Sequence, residues 1–373
     1  MLEIVKAQGV TLTDVHNKKY IDLIAGISVS NVGHCHPDVV NAVKTQAEKY
    51  MHLMVYGEYV QSPQVLLASK LAELLPHHDS CYFTNSGAEA IDGSLKLARR
   101  FTGRKKIFAF KNAYHGSTLG ALSLMNNEFF TRGYHPLLPE VTFLEFNNVN
   151  ELEKIDSNAA CVVVEFIRGE AGCEIADHNF ATALRKSCNK SGALLIADEI
   201  QTGFGRTGKL FSFMHYSLQP DIIVMAKAMG GGMPLGAFTA SKKIMKSFSN
   251  PALGHLTTFG GHPVSCAASL AALEVILKLD MENQVAHKEQ IIRSELTHPL
   301  IKKIDGKGLL LAVDFGDEKT NQKIIHRCIE KGVITDWFLF APHKMRIAPP
   351  LTITDEELRS ACSSINSSIK EID

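Results

Sequence analysis

Six short apolar runs alternate with stretches of helical periodicity between Leu66 and Ser269. They are Cys81–Thr84, Lys106–Phe110, Val141–Phe146, Cys161–Phe166, Leu194–Asp198 and Ile222–Ala226. Each is too short for a helix and reads as a buried strand. Strands separated by helices pair in parallel and need helical cover. The pattern predicts an α/β fold with a mostly parallel central sheet over residues 46–269. Residues 10–32 alternate apolar and polar around Asn17-Lys18-Lys19, as a hairpin does, and Pro37-Asp38 opens a helical pattern reaching about Tyr50. A long helix is expected over roughly Pro263–Leu279. Residues 270–373 read as a smaller α+β domain with strands at Gly308–Phe315 and Met345–Ala348, which the segment 1–45 is expected to join.

At 373 residues with 45% hydrophobic content, the chain can fill a sizeable core. The 39 basic and 39 acidic residues cancel, which argues against nucleic acid or an anionic membrane as partner. No apolar run approaches the roughly 20 residues of a membrane span. The start, Met1-Leu2-Glu3-Ile4-Val5-Lys6, lacks the pattern of a signal peptide. Eight cysteines without Cys-x-x-Cys spacing are expected to be reduced thiols of a cytoplasmic protein.

The chemistry gathers at strand ends. Ile222–Ala226 runs into Lys227, and Gly230-Gly231-Gly232 forbids a regular element soon after. A desolvated lysine held there can lose its proton and condense with an aldehyde. Ala193–Ala197 runs into Asp198 and Glu199. A lysine for an aldehyde carbon and an aspartate for a ring nitrogen are what pyridoxal 5′-phosphate needs. In Thr84-Asn85-Ser86-Gly87-Ala88-Glu89, Ser86 and Glu89 have capping-box spacing, and Gly87 lets an anion approach the helix amides. An ordinary capped helix gives the same pattern. Tyr114, beside His115-Gly116, can stack on a cofactor ring or fill the core. Gln201 can hydrogen-bond the phenolic oxygen, and His255–Pro263 offers hydroxyls as a second phosphate contact.

Two further patterns are set aside. Gly203-Phe204-Gly205-Arg206-Thr207-Gly208 matches Gly-x-Gly-x-x-Gly, but polar residues separate it from the strand and no clear helix follows, which disfavours a nicotinamide or flavin site. His34-Cys35-His36 has no third ligand nearby, so no metal is expected.

In order along nearly the whole chain, six stretches resemble the class III aminotransferases, the ω-amino-acid group of fold-type I pyridoxal phosphate enzymes, and most of all the acetylornithine and ornithine aminotransferases. They are Val32–Pro37, Asn85–Ala90, Tyr114–Gly116, Asp198–Gly203, Lys227–Gly232 and Arg346–Pro350. The resemblance implies that Lys227 carries the cofactor and Asp198 pairs with its ring nitrogen. Gln201 would contact the ring oxygen and Tyr114 would stack. Gly87 and Ala88 would receive the phosphate, and Ser86 and His115 fall in the same cofactor-binding set. Thr258 would reach the phosphate of the other subunit, which implies a homodimer with shared active sites. Arg346 would hold the α-carboxylate of glutamate or 2-oxoglutarate, and Glu170 would pair with that arginine and release it. The activity implied is ping-pong transfer of an amino group from an ω-amine or ornithine-like donor, acetylornithine-type favoured, to 2-oxoglutarate.

Three departures stand out. Glu165-Phe166-Ile167-Arg168-Gly169-Glu170 replaces Glu-Pro-Ile-Gln-Gly-Glu. Ser117 stands where acetylornithine enzymes commonly have a carboxylate-binding arginine. The chain begins close to its first hairpin, without the extension usual in relatives. Arg168 is then either the substitute cation for the donor or a solvent-facing arginine. Two rivals remain: an aminomutase or racemase on the same scaffold, and a non-catalytic descendant that Lys227 and Asp198 speak against.

Overall fold

A computed structural model describes residues 2–372. Its central sheet has seven strands in the order Ser80–Thr84, Gly236–Ala240, Ile222–Met225, Leu194–Asp198, Ala159–Val164, Lys106–Phe110, Val141–Leu144. Gly236–Ala240 pairs antiparallel with both neighbours, and the other pairings are parallel. The mostly parallel sheet is as the alternation predicts. The antiparallel strand was not predicted, because Gly-Ala-Phe-Thr-Ala carries neither a β-branched run nor a polar alternation.

Both faces of this sheet are buried, so its strands are apolar throughout. Leu195, Ala197, Ile223 and Met225 pack on one face, against helices Pro37–Lys49, Ser62–Leu74 and Pro263–Lys278. Leu194, Ile196, Ile222 and Val224 pack on the other, against helix Gly87–Thr102. That helix starts at Ser86, whose Oγ accepts from the Glu89 amide at 3.2 Å, and stops at Gly103, whose φ of 69° is the left-handed closure glycine allows. The capping box is only half made. Glu89 Oε2 reaches past Ser86 to accept from the Asn85 amide at 2.8 Å and from Asn85 Nδ2 at 2.9 Å, tying the helix start to the preceding strand.

The expected hairpin forms from Thr11–Asp14 and Lys19–Asp22. Lys19–Asp22 then pairs in parallel with Val333–Ile334, which fastens the N-terminal strands to the C-terminal part of the chain. A second four-stranded sheet joins Lys303–Lys307, Leu310–Asp314, Ala341–Ile347 and Trp337–Phe338. Helices Met281–Glu295, Glu318–Glu330 and Asp355–Lys370 cover it around a separate core. Strand alternation decides what this sheet offers the rest of the molecule. Met345 and Ile347 point into that core, and Arg346 between them faces the opposite way.

The glycine-rich loop after Asp198 is a brace. Arg206 is fully buried and donates to the carbonyls of Leu309 (2.9 Å) and Pro349 (2.5 Å) and to Asn31. A 3-10 turn at Ser212–His215 follows it, not a helix. The two histidines of the His34-Cys35-His36 motif diverge. His34 Nε2 bonds Asp22 at 2.7 Å, while His36 Nδ1 caps the helix at Asp38. Among the described residues no helix is long and apolar enough to cross a membrane.

Candidate active site

Parallel strands deliver their C-terminal ends to one edge of a sheet, where ligands of open α/β folds bind. Asp198 ends one central strand, and Lys227 follows its neighbour. Together with Ser86, Gly87, Ala88, Tyr114, His115, Ser117 and Gln201 they line a cavity of about 520 Å³. A second cavity of about 390 Å³ adjoins it, lined by Ile27, Glu170, Asp336, Trp337, Leu339 and Arg346. Tyr114 and Lys227 line both, so the lysine stands at the passage between them.

Lys227 has φ of 48°, a left-handed conformation that costs a non-glycine residue energy and persists only where surroundings enforce it. Burial lowers the pKa of its ammonium below the ordinary lysine value, against the opposing pull of Glu170. Asp198 is buried. Its Oδ2 accepts from His115 Nδ1 at 2.7 Å and its Oδ1 from the Ile200 amide at 3.0 Å. Burial disfavours the charged form of His115, but the bond to Asp198 outweighs it and the histidine pKa rises. His115 thus braces Asp198 from behind. Its Nε2 has no partner.

Glu199, the other carboxylate of the pair, has a structural task. It is fully buried and accepts from Thr202 Oγ1, Ser212 N and Oγ, and Phe213 N at 2.5–2.8 Å. Glu165 is a member the sequence reading passed over. It follows the apolar strand Ala159–Val164 as Asp198 ends its own, and that shared signal could have found it. Its carboxylate accepts from the amides of Tyr114 and Gly169, and burial lifts its pKa from 4.5 to about 7.

At the helix start, the amides of Gly87 and Ala88 have no intrahelical acceptor. A side chain at Gly87 would meet Ile200 Cδ1 at 2.7 Å, so glycine lets the helix start and Ile200 approach closely. Gln201 Nε2 is buried without a hydrogen-bond partner, and its side chain packs closely over Gly169, where an added Cβ would lie 1.8 Å from Gln201 Oε1. Tyr114 OH and Ser117 Oγ are 3.2 Å apart on the cavity wall.

Arg346 crosses from the second sheet into the smaller cavity. It meets Glu170 through two bonds of 3.1 Å, Asp336 through Nε at 2.8 Å and the Trp337 carbonyl at 3.1 Å, and it stacks on Phe338 with its guanidinium carbon 4.4 Å from the ring centroid. Burial raises the Glu170 carboxyl, but Arg346 outweighs it and the net shift is down. Asp336 was also missed. It meets Arg346 through the short hairpin that pairs Trp337 with Met345.

Two predicted residues lie elsewhere. Arg168 lines neither cavity. It is buried, ion-paired with Glu174, bonded to the Lys111 carbonyl and stacked 4.3 Å from the Phe146 ring centroid. It is therefore neither the expected substitute for a donor-binding arginine nor solvent-facing. The two-residue strands Ile167–Arg168 and Glu174–Ile175 pair antiparallel and bring its partner across. Thr258 is exposed, with Oγ1 3.3 Å from Tyr56 OH, and does not line the cavity of its own chain.

A family model for class-III aminotransferases matches residues 1–369, and the chain belongs to that family. It is 40% identical to the acetylornithine aminotransferase of Archaeoglobus fulgidus over 95% of this chain and 92% of that one. It is 37% identical to the same-named enzyme of Methanocaldococcus jannaschii over 99% and 94%. The ornithine aminotransferase of Toxoplasma gondii superposes with a TM-score of 0.93 at 30% identity, covering 100% of this chain and 90% of that one. This protein is a pyridoxal-phosphate-dependent transaminase of fold type I. Its site fits that cofactor. The unpartnered Gln201 amide, the free helix-start amides beside Gly87 and the desolvated Lys227 converge on one cavity.

Proposed function

We propose that the enzyme moves an amino group from an ω-amine or ornithine-like donor to 2-oxoglutarate in two half-reactions that share one site. Arg346 carries this reading. It is a buried guanidinium lining the smaller cavity beside Lys227, its Nη1 and Nη2 edge closed by Glu170 and its Nε held by Asp336. An acceptor carboxylate of the same shape can take Glu170's place, while Asp336 and the Trp337 carbonyl keep the guanidinium in position.

Pyridoxal phosphate, when bound, supplies an aldehyde carbon for the amine and a ring that stores the electron pair left behind by a departing proton. The rest is assigned to the chain. Lys227 Nζ, its pKa lowered by burial, would hold the cofactor's aldehyde carbon and would serve as general base and then acid for the proton of the substrate carbon. Asp198 would pair with the ring nitrogen, and His115 orients that carboxylate. Gln201 Nε2 would donate to the phenolic oxygen, and Tyr114 would cover a ring face. The amides of Gly87 and Ala88, with Ser86, would receive the phosphate at the helix's positive end.

Thr258 is assigned to the partner's phosphate in a homodimer. This is supported by its exposure and by the exposed apolar side chains beside it, Leu256 and Phe259 next to it in the chain and Tyr56 at its hydroxyl. The cytoplasmic assignment rests on the eight free cysteines.

The names of the relatives favour an acetylornithine-type donor. A second reading rests on the cavity walls: with Ser117 for arginine and Arg168 committed to Glu174, Lys227 and Arg346 are the lysines and arginines lining the two cavities. That arrangement favours ω-amines without a second carboxylate. Rates with N-acetylornithine, ornithine and plain ω-amines against 2-oxoglutarate decide between them. Preference for N-acetylornithine supports the first reading, and preference for uncharged-tail amines the second. Failure of every amine to deliver nitrogen to 2-oxoglutarate contradicts both.

A further inference from the structure

A concavity lies away from the active site, between the C-terminal end of helix Gly87–Thr102 and the segment 246–254. It encloses about 810 Å³, within the range of small-molecule sites. Six of its twelve lining residues are cationic, Lys96, Arg99, Arg100, Arg104, Lys105 and Lys246, and none is Asp or Glu. In a chain whose 39 basic and 39 acidic residues balance, this is a local concentration of one sign.

Local sequence explains how it arises. Lys96, Arg99 and Arg100 stand at i, i+3 and i+4, so they share one helix face, and Gly103 turns the chain so that Arg104 and Lys105 follow round the end. A helix C-terminus attracts cations, but its partial charge is about half an elementary charge and does not balance six.

The anchoring of these side chains is more informative. Arg99 donates to the carbonyls of Lys105 (3.0 Å) and Pro139 (3.1 Å), Arg100 to that of Ser247 (2.8 Å), and Arg104 to those of Ala159 (3.1 Å) and Ser191 (2.9 Å). Lys96 Nζ donates to His255 Nδ1 at 2.9 Å. These partners are neutral. Among the described residues no carboxylate pairs with any of the six. Three guanidiniums are therefore held in place by neutral acceptors, keep their charge unneutralised and retain N–H groups for a ligand. Mutual repulsion makes such a cluster costly unless an anion offsets it. Fixed forks of N–H donors match phosphate oxygens two at a time. Phe248 adds an apolar wall.

We propose that this groove binds a small anion carrying several phosphates. A single carboxylate or monophosphate would leave most of the cations unmatched, whereas a chain of phosphates can meet guanidiniums and ammoniums together.

The test is calorimetric titration of the cofactor-loaded enzyme with inorganic tripolyphosphate. Loading keeps the phosphate site beside Gly87 filled, so the titration reads the groove. One site per chain is expected, with affinity falling as salt rises. Arg100→Gln combined with Lys105→Gln should weaken binding by about tenfold or more. Lys96→Gln with Lys246→Gln should do the same. All four positions lie outside the catalytic cavities, so transamination without the anion should be unchanged. Absence of binding, binding that neither pair weakens, or binding of a DNA duplex without binding of tripolyphosphate would each overturn the proposal.

Discussion

Replacing Arg346 by lysine keeps the charge and removes the fork. In the structure the guanidinium makes two bonds to Glu170, one through Nε to Asp336 and one to the Trp337 carbonyl. Lysine places its donors on a single nitrogen and cannot hold Asp336 with one edge while offering a two-point edge to an incoming carboxylate. The loss falls on the contact that replaces Glu170. One charged hydrogen bond contributes about 1.5–3 kcal/mol, which corresponds to a roughly 10- to 150-fold lower kcat/KM for 2-oxoglutarate. The donor half-reaction with a plain amine should be nearly unchanged, because that amine brings no carboxylate. The assay is a coupled measurement at saturating donor, set beside single-turnover spectra of the donor half alone. Equal losses in both halves would point to general damage, and no loss in either would refute the carboxylate-binding role.

Asp198→Asn keeps the shape of the side chain and removes its charge; transamination should collapse while the cofactor stays bound, and near-normal turnover would count against the assignment. Mixing Lys227→Ala with an inactivating Thr258 variant should restore some activity in hybrid dimers, and a fully active monomer would rule out the shared site. Glu165 gives a pH signature. Its folded pKa is raised from 4.5 to about 7, so the stability it contributes is fully present below 4.5 and is lost as pH rises through about 7. Denaturation of the apoenzyme should therefore show wild type losing stability relative to Glu165→Gln across that window, and a flat difference would contradict the shift.

The large sheet and the two residues proposed for its chemistry were legible in the sequence because both announce themselves locally. Apolar runs of strand length ended in Asp198 and Lys227, and parallel pairing put those ends on one edge. Glu165 carried the same signal. Residues defined by distant partners were not legible. Arg206 depends on carbonyls contributed by Leu309 and Pro349, and Asp336 comes to the site only because Arg346, its hairpin neighbour, meets the distant Glu170. Arg168 was misplaced because an arginine beside a substrate loop gives no local sign of turning inward. Its partner arrives through a two-residue hairpin too short to show a period. The strand Gly236–Ala240 escaped for a related reason. Glycine and alanine suit its crowded place, where a Cβ on Gly236 would lie 2.3 Å from the Ser86 carbonyl oxygen, but they carry no strand signature.

The claim on which the rest depends is that Lys227, strained and desolvated between two cavities, is the residue that holds the cofactor. Borohydride reduction of the loaded enzyme fixes pyridoxal phosphate permanently to its lysine, and mass-spectrometric peptide mapping then locates it. The modification is predicted on the peptide containing Lys227 and to disappear in Lys227→Ala; its recovery on any other lysine of the wild-type enzyme would contradict the account.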